Sequence, residues 1–234
     1  MGFLKRILRS TGGDETNEVL SPGSFETLSE EELQTHMGIN TYGVFELTDA
    51  IRPSYDLQVV PRQGYRFDEY IDDVNNVRTP VLMASATRRQ LMELFLDLID
   101  ALGDVVDVVL ETSHHSNGHH QDLYREHIDM PVLKSILLEH EDLLLNDGCT
   151  GIAVINPSKR QEVQLDEHKL LIVYGRPLEQ FEQRLIAGDV YPDEKIKFIT
   201  EAEHVHSSSE SFYDQFNILK NRLGMDSDDY AGAC

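Results

Sequence analysis

Ten histidines are spread unevenly along the 234 residues of this chain. His114, His115, His119 and His120 crowd one polar stretch, and His204 and His206 stand on either side of Val205, just past an apolar run. Neutral imidazole is the commonest protein ligand for zinc and similar ions. In an extended strand, His-x-His points both rings to the same side. These six residues are therefore the candidate metal ligands, and Glu111, Asp122 and Glu203 could add an oxygen ligand or a general base acting on metal-bound water. Solvated loop histidines are the plainer explanation, because no His-Glu-x-x-His, cysteine pair or Asp-x-Asp-x-Asp-Gly loop fixes a class of site. Two further histidines read as structural: His140 falls on the apolar stripe of a helix, and His168, in Asp166-Glu167-His168-Lys169, reads as edge surface.

Other catalytic patterns are absent. There is no Gly-x-x-x-x-Gly-Lys-Ser/Thr, no Gly-x-Gly-x-x-Gly and no Gly-x-Ser-x-Gly. Cys149 and Cys234 form no recognisable disulfide framework or thiolate site, which fits a reducing compartment.

The elements that must position these residues read as an α/β (or α+β) fold, a mixed sheet flanked by helices and built from two β-α-β units and a β-hairpin. Val81–Ala84 reads as a buried strand. A helix follows with Leu91, Met92, Phe95, Leu98, Ile99 and Leu102 inward, its start marked by a Thr87/Gln90 capping box and its end by Gly103. Val105–Leu110 is apolar on both alternating sets, as an interior strand is. Pro131 opens the next helix, and Ile152–Ile155 starts a hairpin whose long second arm reaches Tyr174. Pro177 begins another helix, Ile196–Thr200 reads as a strand, and Ser208 or Ser209 caps the last helix before Gly224. The runs 81–116 and 170–207 both go strand, helix, strand, histidines, but identity between them is slight, as for two ordinary units. If they pack side by side in parallel, both histidine groups fall beyond carboxyl ends of strands, where open α/β sheets place ligands.

The chain divides into a basic amphipathic tail (1–10), an acidic flexible linker (11–40) containing one short helix at Ser29–Leu33, an α/β domain (41–224) and a frayed acidic end (225–234). In the tail, Phe3, Leu4, Ile7 and Leu8 make one helical stripe, with Lys5, Arg6 and Arg9 around it. That pattern suits docking on an anionic membrane or in a partner's groove. No Lys or Arg occurs between Ser10 and Ile51. With 42 acidic residues against 20 basic ones, the surface field is negative and nucleic acid is excluded as a partner. The pattern therefore predicts a cytoplasmic, non-enzymatic interaction or regulatory domain without a cofactor, recruited by its tail to a protein partner or peripherally to a membrane. The alternative is a hydrolase-like enzyme dependent on zinc or another divalent metal held by the two histidine groups.

Overall fold

A computed structural model of the chain describes residues 23–25, 28–72, 77–114 and 120–225. The fold is α+β. A seven-stranded sheet has the order β4 (Gly64–Asp72), β5 (Val77–Ser85), β10 (Leu171–Tyr174), β9 (Gln161–Leu165), β8 (Thr150–Asn156), β6 (Val105–Thr112), β7 (Gln121–Asp129). Alternation sorts its residues onto two faces. Leu82, Val108, Leu110, Val154, Val163 and Val173 join one large core with Phe95, Leu133, Phe181 and Phe216. Those aromatic and aliphatic residues come from helices α2 (Arg88–Asp100), α3 (Met130–Glu139), α5 (Glu179–Ala187) and α6 (Glu210–Arg222); α4 (Glu141–Asn146) adds Leu143 and Leu144. Each such side chain contributes about 1.5–3 kcal/mol by leaving water. The sheet's other face is covered in part by Ile196 and Phe198, which pack on Val81, Ile172 and Tyr174. No helix among the described residues is long and apolar enough to cross a membrane.

The sheet differs from the predicted mixed arrangement because every neighbouring pair in it is antiparallel. The first β-α-β unit exists as β5-α2-β6, but β10, β9 and β8 lie between its two strands. The second unit does not form within the sheet. Ile196–Thr200 runs instead into a 3-10 turn at Ile199–Glu201, and the chain then forms β11 (His204–His206). This strand pairs outside the main sheet with β3 (Ile51–Pro53), matching His204 with Pro53 and His206 with Ile51. Nearer the N-terminus, β1 (Thr41–Tyr42) and β2 (Phe45–Glu46) form a two-stranded ribbon. Thr87 starts α2 without capping it, since its Oγ1 accepts instead from the Glu46 N–H at 3.1 Å.

The acidic N-terminal helix α1 (Glu30–Met37) carries the expected capping box of Ser29 and Glu32. It is tied to β3 through His36, 4% exposed, whose Nε2 lies 2.9 Å from the Pro53 carbonyl. The long second arm of the hairpin is broken at 166–170 by a tight turn. Lys169 N–H bonds the Asp166 carbonyl at 3.0 Å, and Leu170 N–H bonds Asp166 Oδ1 at 2.8 Å. Lys169 takes the left-handed conformation, φ 61°, that the reversal requires.

Candidate metal centre

Two of these local features meet at one end of the sheet. The 166–170 turn presents His168 to β11, and alternation along β11 puts His204 and His206 on the same side. His168 packs edge to face on both other rings, with centroids 5.0 Å apart to His204 and 4.8 Å to His206, and His204 and His206 are tilted to each other at 5.2 Å. One ligating nitrogen from each lies within 4.8 Å of the other two.

The hydrogen bonds around the rings decide which nitrogen that is. His204 Nδ1 is 2.8 Å from the Ala202 carbonyl, and His206 Nδ1 is 2.6 Å from the Gly148 carbonyl. A carbonyl oxygen only accepts, so both Nδ1 atoms carry the proton. His168 Nδ1 is 2.9 Å from Asp166 Oδ2. Burial alone would raise the pKa of Asp166, but His168, the Leu170 N–H and Lys169 hold it below the ordinary carboxylate value. Asp166 is thus ionised and His168 also donates from Nδ1. With each Nδ1 committed to an acceptor, Nε2 is the nitrogen that each ring has left to offer a cation. Such outer partners are what fix the tautomer and basicity of metal-ligating histidines.

Tetrahedral zinc, with Zn–N of about 2.0–2.1 Å, sets its nitrogens about 3.4 Å apart. The ligating nitrogens, within 4.8 Å of one another, would have to draw closer to reach that spacing. Protonation is opposed at His206. Burial lowers the pKa of His206, and the charges of His168 and His204 lower it further against Gly148 and Glu167. At His168 burial works in the same direction, but the bond to Asp166 outweighs it and the pKa rises.

The turn that orients His206 has its own support. Gly148 N–H bonds the Ser207 carbonyl at 2.8 Å. A Cβ at Gly148 would sit 2.4 Å from Ala50 O and 2.9 Å from Ser207 O, so only glycine lets β3, β11 and this turn close together. Beside it, fully buried Asp147 accepts from His114 Nε2 at 2.8 Å, from Thr150 Oγ1 and from the Cys149 N–H at 3.3 Å. Lys169, also buried, donates to the Thr150 carbonyl at 2.7 Å, and burial pushes its pKa down to about 8 against the pull of Asp166 and Asp147. His114, Asp147 and Cys149 are also close enough to share an ion. There, however, the imidazole Nε2 and the carboxylate are already engaged with each other.

Of the candidate ligands from the sequence, His204 and His206 come together and His114 belongs to the Asp147 network. His120 Nδ1 lies 3.7 Å from Glu167 Oε2, next in the chain to His168. His115 and His119 lie outside the described residues, as do Phe3, Leu4, Lys5, Arg6, Ile7, Leu8 and Arg9 of the tail. Glu203 accepts from Ser24 N–H at 2.8 Å, and Asp122 from Tyr124 OH at 3.5 Å. The third ring is His168, which the sequence placed at an edge. The available signal was Asp166, two residues earlier, since Asp-x-His in a turn brings carboxylate and imidazole together.

No family model matches this chain. No curated protein or solved structure matches it either. The chemistry is therefore read from the site alone, and Asp166 gives a direct test of it. Asp166→Ala should weaken zinc binding about 10–100-fold, the usual effect of removing an outer partner. Chelator competition measures it, and unchanged affinity would mean that His168 is not a ligand.

Proposed function

We propose that this chain holds one divalent cation, zinc by ligand type, between His168, His204 and His206, and uses the open fourth position to activate water for hydrolysis. The observation that carries this reading is the grouping of the three rings with all three Nδ1 atoms committed to acceptors, which leaves each Nε2 to offer a cation. Three protein ligands with a free fourth position are the pattern of catalytic rather than structural zinc. Neutral ligands leave the full double charge on the metal, which lowers the pKa of its water to about 7. Glu167, adjacent to His168 and close enough to influence both His168 and His206, supplies a carboxylate to take the proton. A net charge of −22 gathers cations toward the site. Docking through residues 3–9 has no comparable geometric support, because those residues lie outside the described part.

The zinc-loaded protein should hydrolyse an activated ester such as p-nitrophenyl acetate, with a rate rising through about pH 7 and falling to background in His204→Ala. In acid, protons displace the metal from the Nε2 atoms and activity is lost. Bound metal without hydrolysis of this ester or of a p-nitrophenyl phosphodiester would contradict water activation. Failure to bind metal at all would contradict the whole reading.

A further inference from the structure

The arginines divide into two groups. All but three of those among the described residues are ion-paired with carboxylates, as Arg62 is with Asp193 and Arg222 with Glu139, both at 2.7 Å. In a chain with 42 acidic residues that is the expected state. Arg125, Arg160 and Arg176 are exposed and make no ion pair or side-chain hydrogen bond among the described residues. All three line one groove.

That groove lies on the sheet face turned away from the helices, toward the end opposite the histidines. Strand β8 begins at Thr150 beside the metal site and reaches the groove at Ile155, five residues and about 17 Å further on. The concavity measures about 800 Å³, within the range of small-molecule sites. Its floor includes Val109, Tyr124 and Ile155, and Val77 and Pro80 stand at one side. Arg78 and Lys159 add to the basic rim; the first is paired with Glu69 and the second bonds the Ala101 carbonyl.

Three carboxylates also face this space. Asp107 accepts from His127 N–H at 2.9 Å, Glu162 is 1% exposed and takes a bond from Gln164, and Glu126 is at the surface. The lining therefore carries more positive than negative side chains in a protein whose net charge is −22. Backbone geometry fixes two of the free arginines next to each other. Arg160 sits in the left-handed region at φ 54°, and Gly175, just before Arg176, packs so closely that a Cβ there would fall 2.3 Å from the Arg160 carbonyl.

We propose that this groove binds an amphipathic organic anion, its apolar body on Val109, Tyr124 and Ile155 and its carboxylate or phosphate held by Arg160 and Arg176. Guanidinium matches both headgroups with paired N–H donors, and an apolar floor with a few placed charges is how small-ligand sites combine affinity with orientation. A groove of this size suits a small molecule better than a peptide segment. The site is independent of the metal reading, and either can fail without the other.

Calorimetric titration of the full chain with decanoate, decyl phosphate and decyltrimethylammonium tests it. Both anions should bind one to one, with the stronger of the two naming the headgroup, and the cation of equal chain length should not bind. Combined Arg160→Gln and Arg176→Gln should weaken the anions about tenfold or more, whereas Arg222→Gln should change nothing. The melting temperature should stay unchanged, because these side chains are exposed and unpaired. Wild-type binding should also weaken with added salt. Equal binding of the cationic amphiphile, anion binding indifferent to the double substitution, or binding of an acidic peptide but of neither decyl anion would each overturn the proposal.

Discussion

Replacing His206 with alanine should lower zinc affinity on the order of 10²–10³-fold while leaving the fold intact. Structural zinc sites release about 10–16 kcal/mol through four ligands, so each ligand is worth about 2.5–4 kcal/mol. The ring of His206 is half-buried and makes one hydrogen bond, to Gly148 O, so its loss removes little packing. His168→Ala and His204→Ala should cost similar amounts, because each supplies one Nε2 to the same point. His120→Ala should cost little, since that ring lies beside Glu167 rather than among the three. Competition against a colorimetric zinc chelator gives all four values. A large loss from His120→Ala with none from His168→Ala would show that the ligand set is wrong.

Asp147→Ala should destabilise the protein by about 3–5 kcal/mol, the scale of breaking a buried, charged hydrogen-bond network. The carboxylate is fully buried and serves His114, Thr150, Ser208 and the Cys149 N–H. Removing it strands these donors and loosens the turn that holds Gly148. Burial alone would raise the pKa of Asp147, but the bonds from His114, Ser208 and Thr150 and the charge of His114 hold it below the ordinary value. A depressed folded pKa gives stability that is present above the unfolded value of about 3.9 and disappears as pH falls through the folded one. The gap between wild type and variant in urea unfolding should therefore be constant near neutrality and narrow in acid. A gap that widened in acid would mean that the carboxylate is not the ionised acceptor described above.

Much of this fold follows from local pattern. The strand, helix and strand from Val81 to Leu110 appear where their apolar spacing places them, and Gly103 and Gly224 fall just past helices as expected. Neighbour order in the sheet is not a local property. The β5-α2-β6 crossover passes over three strands supplied by later sequence, so the side-by-side arrangement inferred from two similar units could not be checked within either one. The turn at 166–170 was hidden for another reason. It contains no Gly, Pro or Asn, and is made instead by the Asp166 side chain and a left-handed Lys169. Reading through it as one strand carried His168 to an edge. His-x-His survived because strand alternation alone sets it, whereas the third ring depends on a turn and a strand 36 residues apart in sequence. The grouping of unpaired arginines is likewise invisible in sequence, since pairing depends on distance.

The most direct test of the metal centre is X-ray absorption at the zinc edge on protein purified without a histidine tag and loaded with one equivalent of metal. Three histidine ligands and one solvent oxygen predict nitrogen and oxygen neighbours at about 2.0–2.1 Å, with the outer-shell scattering of three imidazoles and no sulfur. A neighbour at about 2.3 Å that disappears in Cys149→Ser would be the Cys149 thiolate. That result would move the ion to the His114, Asp147 and Cys149 group and contradict the assignment to His168, His204 and His206.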